Sequence, residues 1–183
     1  MRFISVCEQP GWNATSWLTL EGNAALSINK IKNFDEFVDN WDNKKMPLKV
    51  HYDNSTLAFS PSTILNGFMN FHYKGAQFVW HTNYVSRQYL DNSENIDRSL
   101  PAFSQTDINL NYVLKTSKQH CGLREIVFGL NFNNIFNNHY AASGWVYSAV
   151  SEKNKYTNDN RYYQIGFMPM AGFTMMGNIT LKF

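Results

Sequence analysis

Leu65-Asn66-Gly67-Phe68-Met69-Asn70-Phe71-His72-Tyr73-Lys74-Gly75-Ala76-Gln77-Phe78-Val79-Trp80-His81-Thr82-Asn83-Tyr84 decides the fold class of this chain. Up to Tyr73 the odd positions read Leu, Gly, Met, Phe, Tyr, and from Phe78 the even positions read Phe, Trp, Thr, Tyr. The interleaved positions are mostly Asn, His, Lys and Gln, with Phe68 and Val79 as exceptions. A period of two marks a β-strand with one apolar and one wet face. Lys74-Gly75 between the halves has the form of a two-residue hairpin turn, which pairs Tyr73 with Ala76. That register sets Phe71 opposite Phe78, Met69 opposite Trp80, Gly67 opposite Thr82 and Leu65 opposite Tyr84, and also His72 opposite Gln77 and His81 opposite Phe68. A slip of one residue would set polar side chains against apolar ones along the whole hairpin, so turn and pattern specify one pairing.

The same alternation extends in both directions. Leu18, Leu20, Gly22, Ala24, Leu26 and Ile28 alternate with Thr19, Glu21, Asn23, Ala25 and Ser27. Downstream, Ile108, Leu110 and Tyr112 alternate with Asp107, Asn109 and Asn111, and Ile126, Phe128, Leu130 and Phe132 alternate with Val127, Gly129, Asn131 and Asn133. Phe173, Met175, Gly177, Ile179, Leu181 and Phe183 close the series against Thr174, Met176, Asn178, Thr180 and Lys182. None of these apolar faces carries a charge, as a lipid-facing band requires when a midplane Arg or Lys costs about 2–4 kcal/mol. With a further strand near residues 3–9, the pattern predicts an all-β antiparallel meander of about seven long strands.

The connections have their own rhythm. Gaps are short at 10–16, long at 32–56, minimal at 74–75, long at 91–102, short at 116–123 and long at 138–172. Tight turns at one end of a sheet and long loops at the other are the habit of outer-membrane β-barrels. Seven strands are odd in number and too few for a bacterial barrel to close, so the sheet is expected to be open, with two bare edges and a strong tendency to aggregate in isolation.

Composition is compatible with this reading and excludes others. The 183 residues are 44% hydrophobic, 16% aromatic and only 16% charged, so the chain is neither a disordered tail nor a polyelectrolyte. A net charge of +2 gives no basic footprint for nucleic acid. No run of about 18 apolar residues exists, which excludes a transmembrane helix but not a barrel strand. Residues 1–10, with Glu8 interrupting early, lack the apolar core and cleavage site of a secretory leader, so an exported protein would need an N-terminal part beyond this sequence. Cys7 and Cys121 have no metal or redox spacing and read as structural.

At Asn133-Asn134-Ile135-Phe136-Asn137-Asn138-His139-Tyr140 the sequence resembles the N-N-L-F-N/D-x-x-Y segment in the penultimate strand of TonB-dependent outer-membrane receptors. Ala142-Ser143-Gly144-Trp145-Val146-Tyr147-Ser148 and the tail from Tyr162-Tyr163-Gln164-Ile165-Gly166-Phe167 to Gly172 look like the Bacteroidetes-type version. Asp107-Ile108-Asn109-Leu110-Asn111-Tyr112 is similar to the preceding strand of that family. The stretch from Ser60-Pro61 through Tyr89-Leu90-Asp91-Asn92 also fits, so the resemblance covers most of the chain from about Trp17 onward. It implies that residues 1–183 are the C-terminal part of a transmembrane barrel of about 22 strands, without its signal peptide and plug domain. Gly177, Ile179, Leu181 and Phe183 match the final-strand signal read by the barrel-assembly machinery. The implied function is active uptake of a large ligand of the siderophore, cobalamin or glycan class across the cell outer membrane. The implied partners are outer-membrane lipid, the assembly machinery, the rest of the barrel and its plug, and TonB only through the missing N-terminal part. No cofactor is implied.

Other chemistries leave weaker traces. Asp35, Glu36, Asp39 and Asp42 fall in a predicted loop and could collect a cation, but without EF-hand spacing they read as a solvated acidic loop. His51, His72, His81, His120 and His139 are scattered, without the spacing of a zinc site. No G-x-S-x-G, catalytic Cys context or phosphate loop appears, so the chain is not read as an enzyme. Trp145, Tyr147, Tyr156, Tyr162 and Tyr163 could stack on a sugar or an aromatic chelate, or form an interfacial girdle. Two rival architectures remain: a soluble lectin-like sandwich, and a small autonomous eight-stranded barrel if residues 141–149 add a strand.

Overall fold

A computed structural model of the chain describes residues 5–8, 11–43, 46–116, 122–151 and 161–183. The described strands, in chain order, are β1 (Ser5–Glu8), β2 (Gly11–Thr15), β3 (Leu18–Ser27), β4 (Lys30–Asn40), β5 (Leu48–Thr56), β6 (Thr63–Tyr73) and β7 (Ala76–Val85). They continue with β8 (Gln88–Tyr89), β9 (Ser99–Leu100), β10 (Phe103–Lys115), β11 (Glu125–Asn133), β12 (Ala141–Val150), β13 (Arg161–Pro169) and β14 (Thr174–Lys182). The described residues contain no α-helix, only a 3-10 turn at Ile96–Arg98. The fold is all-β.

One antiparallel sheet takes the order β1-β3-β6-β7-β10-β11-β14, with β2 lying beside β1 along the same side of β3. These are the seven positions that the alternation predicts. The β6–β7 hairpin has the predicted register at every pair from Tyr73↔Ala76 to Leu65↔Tyr84. Its turn residues Lys74 and Gly75 both sit at positive φ, 43° and 85°, the arrangement whose twist matches that of the flanking strands. A Cβ at Gly75 would stand 2.9 Å from the Val113 carbonyl oxygen, so the turn needs glycine there for space as well as for φ.

Register carries the apolar face across the whole sheet. Leu20, Met69, Trp80, Ile108, Phe132 and Met175 form one transverse row, and Leu18, Phe71, Phe78, Leu110, Leu130 and Gly177 form the next. Each such cross-strand pair contributes about 0.2–1 kcal/mol. The opposite face is rich in amides. Asn66 donates to Asn23 at 2.8 Å and Gln77 to Asn70 at 3.1 Å, while Asn109 lies between Val79 and Asn131. The exception at Phe68 has a physical account: its ring stacks on His81 at 4.3 Å, covering an imidazole on the polar side.

At the other end of the strands the predicted loops are corrected. The described residues of 32–56 and 138–172 are mostly strand: β4 pairs antiparallel with β5, and β12 with β13. A two-residue parallel bridge, Ala149↔Asp39 and Val150↔Asn40, joins the two hairpins into a second sheet of order β13-β12-β4-β5. Asp35, Glu36 and Asp39 are therefore strand residues. These strands escaped the period-two reading because both of their faces mix charge with apolar groups, as in Lys30-Ile31-Lys32-Asn33-Phe34-Asp35-Glu36. Asn33 at φ 52° also interrupts the β4–β5 ladder. The segment 141–149 is a strand, but it pairs within this upper sheet and does not extend the main one. Neither sheet closes, since β1 and β14 remain the two ends of the main one.

Candidate functional site

Three surfaces concentrate what this molecule can do. The first is the apolar face of the main sheet. Its strands β3, β6, β7, β10, β11 and β14 are 9–13 residues long, the length a tilted strand needs to span a bilayer. Leu65, Met69, Tyr84, Leu114, Phe128, Leu130, Met175, Ile179 and Leu181 are all exposed on it, so no described layer of protein covers them. Aromatic rings mark its short-turn end: Trp17 stacks on Phe71 at 6.0 Å, beside the exposed Tyr73 and Tyr112.

The second surface is β14, exposed along its whole length. Gly177, Ile179 and Leu181 pair with Leu130, Phe128 and Ile126 and so share the apolar face, while Phe183 follows in the same alternation just past the end of the strand. The side chain of Phe183 is exposed, and the β14 edge opposite β11 has no partner among the described residues.

The third is the upper region: the upper sheet buries Val38, Ser55, Ala149 and Arg161, and the segment 88–100, whose strand β9 lies against β12, buries Leu90, Arg98 and Leu100. Arg161 places a guanidinium nitrogen 3.0 Å from Glu36 Oε2, which also accepts from the Tyr52 hydroxyl at 3.0 Å. Arg98 lies 3.1 Å from Asp91 Oδ2, donates to Ser93 Oγ at 2.6 Å and stands over the Tyr163 ring at 4.6 Å. Removing either guanidinium would leave a carboxylate largely out of water, the costly way to break such a pair. The acidic residues are thus spent within the fold: Asp35 on Lys49 and His51, Glu36 on Arg161, and Asp39 on the Tyr147 hydroxyl at 3.0 Å. Asp42 accepts from Ser151 Oγ at 3.2 Å. His51 sits between Asp35 at 2.6 Å and Asp53 at 3.3 Å. The hydrogen bond to Asp35, and then the charges of Asp35 and Asp53, raise the His51 pKa above its usual value; Lys49, and then His51, lower that of Asp35.

The predicted aromatic group divides. Trp41 meets Tyr162 at 5.0 Å and donates to the Tyr147 hydroxyl at 3.2 Å, whereas Tyr163 lies under Arg98 and Trp145 is half exposed on β12. Tyr156, His120 and Cys121 lie outside the described residues, as does the side chain of Cys7. His72 and His81 face Gln77 and Phe68, as the register requires.

No protein-family model matches the chain, and no curated protein gives a significant match. The site therefore rests on its own geometry.

One residue matters more than its chemistry alone suggests. Asn134, buried and at φ 52°, ties three segments together. Its backbone N–H donates to Asp107 Oδ1 at 2.8 Å, its amide group donates to the Asn138 and Ala171 carbonyls, and its side-chain oxygen accepts from the Asn138 N–H. Asn137, at φ 51°, accepts from the Phe173 N–H. The Asn-rich run 133–138 is thus the joint at which β11, β10 and the turn into β14 meet, and asparagine suits it because it tolerates positive φ and both donates and accepts.

Proposed function

We propose that this chain is the C-terminal barrel segment of a TonB-dependent outer-membrane transporter. Its apolar sheet face meets lipid, its amide-rich face lines the lumen, and its upper sheet stands outside the membrane. In this reading it contributes barrel wall and external surface to the active uptake of a large ligand of the siderophore, cobalamin or glycan class, and performs no catalysis itself. About 22 strands complete the barrel, and Gly177, Ile179, Leu181 and Phe183 present the signal taken by the assembly machinery. The observation that carries the reading is the uncovered, charge-free apolar face running in register from β3 to β14. A sheet of a soluble sandwich would bury such a face against a second sheet. The resemblance of the run 133–140 to the family's penultimate-strand segment chooses this barrel class over others.

Tryptophan positions supply the test. In single-tryptophan variants folded into vesicles, Trp80 on the apolar face is quenched by lipids brominated along the acyl chain, and Trp41 in the upper sheet is not. Equal quenching of the two, or none at Trp80, overturns the assignment.

A further inference from the structure

The apolar face is not uniformly flat. At its short-turn end, the row Tyr73, Ala76, Tyr112, Phe128 places the smallest side chain between two phenol rings. The neighbouring row, Phe71, Phe78, Leu110 and Leu130, is large throughout. The shortfall at Ala76 leaves an open cleft of about 520 Å³, walled by Tyr73, Tyr112, Phe71, Phe78, Leu110 and Trp17. The volume falls within the range of about 300–1,000 Å³ typical of small-molecule sites. Beside it, the Lys74 ammonium lies 5.1 Å from the centroid of the Tyr73 ring, and Lys74 makes no ion pair among the described residues.

We infer that this cleft is a binding site for one glycerophospholipid molecule, its acyl chain lying over Ala76 between the tyrosine rings and its phosphate meeting Lys74. The inference rests on the proposed membrane orientation and goes beyond it, since a lipid-facing surface by itself predicts only exchanging, unspecific contacts. Two features select the occupant. The walls offer almost no polar atoms, which suits a hydrocarbon chain. Lys74, without an ion pair among the described residues, stands at the hairpin turn, where the strand ends and aromatic side chains mark an interface, which suits a phosphate at headgroup depth. A long basic side chain whose stem lies on an apolar ring while its charge reaches the interface is the expected posture there.

The test uses the whole chain folded into vesicles of phosphatidylglycerol or phosphatidylcholine that contain a trace of phospholipid with a photoactivatable acyl chain. Cross-links are mapped by peptide mass spectrometry. Labelling concentrated on Tyr73, Ala76 and Tyr112, above that on Met175 and Ile179 of the same face, is the expected result. Ala76→Phe fills the cleft and abolishes the excess while leaving Ile179 labelling unchanged. Lys74→Asn retains a residue suited to positive φ before Gly75, so the hairpin stays intact. It lowers the excess about five-fold in phosphatidylglycerol, the equivalent of about 1 kcal/mol per basic group at an anionic surface, and less in phosphatidylcholine. Even labelling over the whole face, unaltered by Ala76→Phe, overturns the site and leaves the membrane orientation standing. Absence of acyl labelling from the entire face overturns both.

Discussion

Leu110 meets Leu130 across β10 and β11, and Ile179 meets Phe128 across β11 and β14, yet none of these side chains is buried. Above them, Val38, Leu90, Leu100 and Ala149 are almost wholly inaccessible, and two arginines are buried with them. The main sheet holds its register by ladders, cross-strand pairs and a turn, and leaves its apolar surface for its surroundings to cover. The upper sheet, with the segment 88–100 against β12, is held by a small core and by ion pairs withdrawn from water. A single chain thus contains one region whose apolar face is uncovered and one with a small buried core, and the joint at Asn134 lies between them.

Four experiments separate the two regions. The largest effect is expected from Arg161→Ala, which leaves Glu36 and Tyr52 without their guanidinium. Breaking a buried pair of this kind costs about 3–5 kcal/mol. Hydrogen exchange should quicken across β4, β5, β12 and β13 while the amides of β6 and β7 keep their protection; equal acceleration in both regions would show that they unfold as one unit. Next comes a paired substitution on adjacent residues of β10. Ile108→Arg on the apolar face should destabilise the chain in lipid vesicles by about 2–4 kcal/mol, whereas Asn109→Arg on the amide face should change little. Similar losses from both would remove the distinction between the faces.

Asn134→Ala addresses the boundary. It deletes both side-chain donations and one acceptance and places alanine at positive φ, for an expected loss of about 2–3 kcal/mol. Faster proteolysis at the 134–140 connection and at the 170–173 corner reports it, and resistance like that of the parent would deny Asn134 its role as a tie. The smallest effect is electrostatic. The folded His51 pKa is raised above 6.5, so its contribution to stability is complete below that value and is lost as pH rises through the folded pKa. Asp35 is lowered below 3.8, so its contribution is present above that value and is lost as pH falls through the folded pKa. Exchange of β4 and β5 amides, corrected for intrinsic rate, should therefore be slightly faster at about pH 8.5 than at about pH 5.5, and His51→Gln should abolish the difference.

How much could be read beforehand follows the same division. Where one face is wholly apolar, as from Leu65 to Tyr84, the alternation fixed strand, register and turn together, down to Tyr73↔Ala76. Where charge and apolar groups share both faces, as in Lys30–Asn40, no period emerges and a strand reads as a loop. The pairing of β4 with β12 was beyond sequence reasoning, because it depends on residues more than a hundred positions apart meeting over only two pairs. Arg98 and Arg161 gave no warning of burial, since their partners Asp91 and Glu36 lie in separate stretches of ordinary polar composition. Asn134 was visible only as part of a resemblance; its positive φ and four hydrogen bonds supply the reason that the residue type matters there.

The two-residue bridge between Asp39–Asn40 and Ala149–Val150 acts as a drawstring. The strands beneath its two ends, β3 and β11, are separated in the main sheet by β6, β7 and β10, about 19 Å at the usual spacing between neighbouring strands. Their continuations nevertheless come to touch, so the two excursions lean together across β6, β7 and β10, and neither can swing outward without hauling on the other.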